Sequence, residues 1–391
     1  MEKETAVEVD RLISTHPVWM EIDLTALKSN FHEIKRLVGP EIKIIASLKG
    51  DAYGLGVVEI TRALSNLGIY AIATGSFKDA VSIRKAGIKT KIQMFAGNLP
   101  EAIEELLRYD LIPTVYNMAT AQAISGVAKA AVPIYIKVDA GLGRLGVPLD
   151  EAESFIKKVA SLPNIFIEGI YTHLPFYDTA GRDWARSRLK EFDDLLSNLA
   201  KAGLRIPVTQ SLASSGLITG LKSQCNAVCV GHLLYGGLSR VTPDLADLSS
   251  FRPVMKTIKT RLIHIEQHLE EKAIGMGGSQ IIKKGSITGV IPVGLYDGYR
   301  RPGKGKTAMV LIRGRRVPVL NVTLEYITLN LSGIENHKIG EEIVLIGQSE
   351  KERISLEEVA AWQNGSPLDV LMSFGGHLPC IYLDYKADVE A

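Results

Sequence analysis

The sequence predicts an α/β protein, a (β/α)8 barrel followed by a smaller, mostly antiparallel β domain. Three observations carry this. Between Ile42 and Gly231, short apolar runs alternate with helix-length segments at regular spacing, and such alternation makes a parallel sheet covered by helices. The runs begin near Ile44, Tyr70, Lys91, Ile112, Ile134, Ile165, Ile206 and Ala227, and eight such units over roughly 200 residues suit a closed TIM-type barrel. After about Ser249 the pattern changes to short runs rich in Val, Ile and Thr, divided by glycine turns. A doubly wound open sheet is the alternative for the first part.

In chain order, residues 1–16 are charged throughout and read as an N-terminal tail, with neither a signal peptide nor a spanning helix. The barrel is expected over 17–245. Its helices include Val57–Leu67, Pro100–Tyr109, Asp150–Ser161 and Trp184–Gly203, whose apolar residues recur at three and four positions and several of which stop at glycine. The boundary falls near Leu238–Ser250, where Pro243 and small polar residues interrupt the alternation. The β domain, 246–391, holds strand-like segments at Met255–Ile265, Ser286–Leu295, Thr307–Ile312, Arg315–Val322, Tyr326–Leu331 and Glu342–Ile346, with helical turns near Leu356–Gln363.

The bulk numbers bound the function. A chain of 391 residues suggests two domains, and 46% apolar with 23% charged residues is ordinary globular composition. A net charge of +2 is too small to draw nucleic acid or a membrane surface. Three cysteines make no disulfide framework and, with no apolar run of about 18 residues, point to a reducing, cytoplasmic setting.

A barrel concentrates its chemistry on the loops after its strands. The first apolar run ends at Lys49, followed by a glycine-punctuated turn carrying Tyr53. A lysine at the lip of a buried strand is held against an apolar wall, where desolvation favours the neutral amine that Schiff-base chemistry needs. On pattern alone it reads more readily as a surface lysine after a core strand. The fifth run, with Lys137 and Asp139, leads into Gly141-Leu142-Gly143-Arg144-Leu145-Gly146. This matches Gly-x-Gly-x-x-Gly, but Pro148 delays the helix that a dinucleotide site would open inside the glycines. His173 ends the sixth run, Ser214 follows the seventh, and Gly231 with His232 follows the eighth. The last two loops are where barrels often hold phosphate, for which Ser214, Gly231 and Tyr53 offer hydroxyl and amide donors.

Lys49-Gly50-Asp51-Ala52-Tyr53-Gly54 resembles the Lys-x-x-x-Tyr-Gly motif of the alanine racemase family, in which the lysine carries pyridoxal 5′-phosphate (PLP). The resemblance continues through Ala227-Val228-Cys229-Val230-Gly231, Ile291–Arg300, Gly314–Pro318 and Pro367–Leu371. It implies a PLP-dependent amino-acid racemase or epimerase, with Lys49 as one base. It implies Tyr53, His173, Ser214, Gly231, His232 and Cys229 around the cofactor. Arg144 would meet the substrate carboxylate, beside a Lys137 that can carry a carbamate. It also implies a head-to-tail homodimer, each β domain covering the other chain's barrel mouth.

Four positions depart from the family pattern. Leu295 stands where the second catalytic tyrosine is expected, with Tyr296 one place later. Cys229 replaces an arginine to the pyridine nitrogen, and Leu368 a phosphate-binding tyrosine. Thr323-Leu324-Glu325 replaces a Cys-Met-Asp turn beside the substrate, which places Leu324 there. The expected function is therefore racemisation through Lys49 and Tyr296, with a substrate larger or more hydrophobic than alanine. The alternatives are a one-base PLP enzyme (aldolase, dehydratase or decarboxylase) and a PLP-binding protein without turnover. His377 and Cys380 invite comparison with a His and Cys metal pair in fold relatives, but two ligands are weak evidence and no metal is expected. The basic loop Arg300–Lys306 reads as a solvated turn.

Overall fold

The structure, a computed structural model, describes residues 17–95, 99–236, 241–278 and 280–384, together with Thr15 and Leu238. The expected tail, 1–16, lies outside them except for Thr15. The chain divides into two compact units, one of residues 25–52 and 57–254, the other of residues 1–24, 53–56 and 255–391. The division differs from the expected 17–245 and 246–391 in two ways. The first strand, β1 (Val18–Asp23), pairs with strands of the second unit, and the crossing point comes later, after Val254.

The larger unit opens with helix α1 (Leu24–Val38). Eight parallel strands follow, β2 (Lys43–Ser47), β3 (Ala71–Thr74), β4 (Lys91–Met94), β5 (Thr114–Val115), β6 (Val132–Asp139), β7 (Ile165–Tyr171), β8 (Val208–Leu212) and β9 (Ala227–Val230). They run in the order β4-β3-β2-β9-β8-β7-β6-β5. The ring closes between β4 and Ile112, just before β5, where the Met94 amide donates to the Ile112 carbonyl at 2.8 Å and the Ile112 amide to Ile92 at 2.9 Å. The barrel is thus closed, and the open-sheet alternative fails. Between the strands lie α2 (Val57–Asn66), α3 (Phe77–Lys85), α4 (Ile103–Arg108), α5 (Met118–Val127), α6 (Leu149–Ala160), α7 (Thr179–Lys201) and the short α8 (Ser214–Ile218). The longest of them, α7, begins before the expected Trp184 because Asp178 caps it, accepting the Gly181 amide at 2.8 Å.

Side chains fill the barrel. Ile45, Ala71, Ala73, Ile112, Tyr135, Tyr171, Val208 and Ala227 form one buried cluster, with Phe95 and Cys229 packed against it. The large Tyr135 ring fits only because its neighbour on β7 is Gly169, where a Cβ would come within 2.3 Å of the ring. The far end is closed by polar groups, Glu168 accepting from the Tyr70 hydroxyl at 2.8 Å and from Lys91 at 2.5 Å.

The smaller unit is a sheet of β10 (Met255–Arg261), β11 (His264–Gln267), β12 (Ile287–Ile291), β13 (Met309–Ile312), β14 (Arg315–Val322), β15 (Ile327–Asn330), β16 (Glu342–Ser349) and β17 (Cys380–Leu383), joined by β1. Every pairing is antiparallel except that of β1 with β17. Helices α9 (Leu356–Gln363) and α10 (Pro367–Phe374) precede β17, and Ser366 with Asp369 forms a capping box that starts α10. No helix among the described residues is long and apolar enough to cross a membrane.

Helix α1 is fixed to the chain beyond β9 by one buried side chain. The Asn30 amide nitrogen donates to the Leu234 carbonyl at 3.0 Å and to Arg252 at 2.8 Å, while its oxygen accepts the Arg252 amide at 2.8 Å. Truncation orphans three backbone groups, each costing about 1–3 kcal/mol where it stays dry. Asn30→Ala is therefore expected to destabilise the barrel unit by about 2–4 kcal/mol, read as a lowered urea midpoint.

Candidate active site

The backbone after β2 does something the sequence shows only as glycines. Five consecutive residues have positive φ, Gly50 (59°), Asp51 (56°), Ala52 (56°), Tyr53 (61°) and Gly54 (81°). The segment Lys49–Gly54 is a left-handed helical turn. For non-glycine residues this conformation costs about 1–2 kcal/mol each, and three of the five carry side chains. The turn persists because its polar groups are tied down. The Ala52 amide donates to Leu48 at 3.3 Å and the Asp51 amide to the Asp79 carboxylate at 3.0 Å. The Asp51 carboxylate in turn accepts the Val57 amide at 2.7 Å, at the start of α2. Lys49 is thereby fixed at the first step out of the strand.

Around Lys49 the barrel gathers Lys137 at the end of β6, Arg144 on the following loop, His173 after β7 and Cys229 on β9. Lys49 keeps open surface, but the protein around it removes enough water to lower its ammonium pKa, and Arg144 adds to the shift. Lys137 is 5% exposed. Burial, then the Arg144 charge, bring it down to about 8. Burial and the nearby cations Lys49, Arg144 and Lys137 push His173 down to about 3, so it is a neutral imidazole at working pH. Burial raises the Cys229 thiol to about 12, so it too is neutral.

The glycine loop that carries Arg144 is wrapped around an anion of its own. The Asp139 carboxylate accepts the amides of Gly141 at 2.9 Å, Leu142 at 2.8 Å, Gly143 at 2.9 Å and Arg144 at 3.2 Å. The amides a nucleotide phosphate would need are spent on this side chain, and α6 starts only at Leu149. Gly146 has φ 132° and lies so close to β6 that a Cβ would meet the Asp139 nitrogen at 2.5 Å.

At the ends of β8 and β9, Ser214 Oγ accepts two long bonds, from the Gly231 amide at 3.3 Å and the Leu233 amide at 3.4 Å. A hydroxyl and two amides thus converge on one point at the barrel rim, a donor set that suits a phosphate. His232 lies between the two amides, in the same turn. With a destabilised ammonium just beyond the strand that pairs with β9, these residues fit pyridoxal phosphate.

The remaining expected residues lie in the second unit. Tyr53 belongs to the segment 53–56, where Gly54 would place a Cβ 2.4 Å from Gly375 Cα and the Leu55 carbonyl accepts from the Tyr382 hydroxyl at 2.9 Å. Tyr296 is 68% and Leu324 63% exposed, and the Tyr296 amide donates to the Leu324 carbonyl at 2.8 Å. The run expected to continue as strand to Leu295 turns instead at Leu295–Gly298, with Gly298 at φ 98°. In a turn, a shift of one residue does not reverse a side chain as it does in a strand. His377 packs edge-on to Tyr296 with ring centroids 6.2 Å apart, while Cys380 lies in β17.

The chain matches the model of the alanine racemase N-terminal domain over residues 22–239 and that of the C-terminal domain over 254–382. The chain belongs to the alanine racemase family. It is 33% identical to the alanine racemase of Halothermothrix orenii over 94% of this chain and 97% of that one. To the Thermodesulfovibrio yellowstonii alanine racemase it is 35% identical, over 91% and 95%. The alanine racemase structure from Clostridium difficile superposes with a TM-score of 0.86 at 26% identity, covering 94% of this chain and 96% of that one. Enzymes of this family are isomerases that use pyridoxal 5′-phosphate, and this chain is alanine racemase-like in fold and cofactor.

Sequence reasoning missed Phe95, Tyr135 and Tyr171, the rings beside Lys49, Lys137 and Cys229. Their signal, an aromatic within or just after an apolar strand, is shared with ordinary core positions.

Two outcomes test the loop. Burial alone would raise the Asp139 pKa, but its four amide donors hold it below the ordinary carboxylate value. A lowered folded pKa contributes stability above the unfolded value of about 4, lost as pH falls through the folded one. Asp139→Asn should therefore be destabilised against the parent at pH 7, with the gap closing below about pH 4, read by denaturation at several pH values. Gly146→Ala should raise the substrate KM through a displaced Arg144 while leaving cofactor capture by Lys49 in place, read by steady-state kinetics and absorbance.

Proposed function

We propose that the protein racemises or epimerises an amino acid, with Lys49 working on one face of the α-carbon and Tyr296 of the partner subunit on the other. The observation that carries this is a lysine set at the rim of a barrel beside an arginine, its ammonium destabilised by the protein that displaces water around it. Pyridoxal phosphate, held by Lys49 with Ser214, Gly231, His232 and Tyr53, supplies the sink for electrons left when the α-proton departs. Everything else falls to the chain's own groups.

Arg144 receives the substrate carboxylate, for which a guanidinium fork is the natural partner. Among the described residues Lys137 has no carboxylate partner apart from the occupied Asp139, and at a pKa of about 8 it offers neutral amine to carbon dioxide. A carbamate there would place a negative charge beside Arg144 and orient it. His173, neutral, supports the ring as a hydrogen-bonding group rather than as an acid. The amine of Lys49 exchanges one proton with the α-carbon, and Tyr296 serves the opposite face from a turn rather than from Leu295. This role for Tyr296 needs a homodimer with a shared site, a reading supported by family membership and by the solvent-facing Tyr296 and Leu324. Leu295, Leu324 and Leu368 replace polar or sulfur-bearing residues with aliphatic ones, which favours a substrate more hydrophobic than alanine.

A second reading, a one-base enzyme cleaving another bond at the α-carbon, draws on Cys229. A neutral thiol where a fixed positive charge is the family habit changes the electron demand on the ring.

The deciding experiment is an amino-acid screen in deuterated water, following α-proton exchange and enantiomer ratio together. Racemisation predicts deuterium in both enantiomers. Exchange with retention, or an aldehyde or oxo-acid product, would give the one-base reading. Lys49→Ala should stay colourless with PLP and gain no mass after borohydride. Tyr296→Phe should slow interconversion by about 10²–10⁴-fold, measured by polarimetry; full activity would remove Tyr296 from the mechanism. Purging dissolved carbon dioxide should raise KM for the amino acid, with bicarbonate restoring it.

A further inference from the structure

We propose that Phe95 is a positioning residue for Lys49, its ring forming the seat on which the lysine's terminal nitrogen rests, with Tyr171 locking that seat in place. This builds on the reading of Lys49 as the working amine. Lys49 Nζ stands 5.7 Å from the centroid of the Phe95 ring, inside the range where a ring's negative face attracts a cation. Phe95 follows β4, and both of its backbone polar groups are engaged. Its amide donates to Thr74 at 2.9 Å, and its carbonyl accepts the Tyr171 hydroxyl at 2.6 Å. The two rings also pack together, with centroids 6.3 Å apart at 50°. Tyr171 is itself 3% exposed and holds Lys137 Nζ at 5.9 Å from its own centroid. Two lysines thus flank two locked rings.

The arrangement answers a physical need. A proton-carrying lysine must exist as both amine and ammonium, yet the net effect of the surroundings of Lys49, led by desolvation, is against the charged form. Desolvation disfavours it, Arg144 repels it, Lys137 and His173 offer it no negative charge, and the Cys229 thiol is neutral. Asp139, at the end of β6, is occupied by four amides. A ring face stabilises the ammonium without accepting a directed hydrogen bond, so it neither fixes the proton nor competes for the free amine. It also restricts a side chain whose rotamer freedom would otherwise have to be lost at each approach.

The test replaces Phe95 in the full-length chain by mono-, di- and trifluorophenylalanine, which keep the ring's shape and weaken its negative face. The cofactor-free protein is treated with trinitrobenzenesulfonate across a pH series, and labelling of Lys49 is followed by peptide mass mapping. The expected result is a labelling midpoint that falls stepwise with fluorine count, reaching about a two- to fivefold change in the protonation constant. A midpoint that stays put or rises would overturn the proposal. Tyr171→Phe keeps the ring and removes only the hydroxyl that holds Phe95. It should slow capture of PLP by Lys49, trapped with borohydride, by on the order of tenfold, and an unchanged capture rate would overturn the lock. If the parent chain takes up PLP but turns over no amino acid, the racemase reading falls while both measurements still decide this one.

Discussion

The site is organised by an excess of positive charge at the barrel rim that no free carboxylate among the described residues balances. Lys49, Lys137 and Arg144 come from different strands and loops, and Asp139, whose charge Lys137 feels, already accepts four backbone amides. Desolvation and mutual repulsion then act in the same direction on each amine, so both lysines lose protons more readily than they would in water. Burial first, and then the same cations, keep His173 neutral. A rim of this kind is costly for the empty protein and favourable for an anionic ligand, which is how charge frustration becomes binding energy.

Holding such a rim together requires backbone that is locally unfavourable. The left-handed turn after β2 places three side-chain-bearing residues at positive φ, and the loop after β6 depends on a glycine at 132° pressed against its own strand. Neither would persist alone. Asp51, Asp79 and Asp139 are the restraints, each using carboxylate oxygens to satisfy amides that these conformations leave without a ladder partner. Three carboxylates near the rim therefore serve the backbone and are not available to neutralise the lysines.

The second unit shows the same economy of glycine. Gly54 and Gly375 touch backbone to backbone, and Gly298 lies where a Cβ would meet the Ser373 carbonyl at 1.9 Å. Tyr299, fully buried against Phe374, anchors the turn that presents Tyr296 to solvent. Burying one tyrosine to expose its near neighbour gives that turn a rigid base, so the exposed phenol is a presented group rather than a loose one.

Much of this was legible in the chain itself. Eight apolar runs located all eight barrel strands to within about two residues, because parallel strands buried on both faces must be continuously apolar. The position of Lys49, Arg144, His173 and Ser214 beyond the ends of barrel strands was legible for a related reason, since a barrel delivers whatever follows its strands to one end. Other features needed the folded molecule. The membership of β1 in the distant sheet was hidden because six residues of strand pattern do not name their partner. The left-handed turn was hidden because Asp51, Ala52 and Tyr53 have no intrinsic preference for it. The role of Asp139 was hidden because a carboxylate before a glycine loop looks the same whether it faces a ligand or its own amides. Local order in the sequence determined which elements form and which loops share an end. Pairing partners, backbone strain and the charges seen by each titrating group were decided only by tertiary structure, because they depend on residues far apart in the chain.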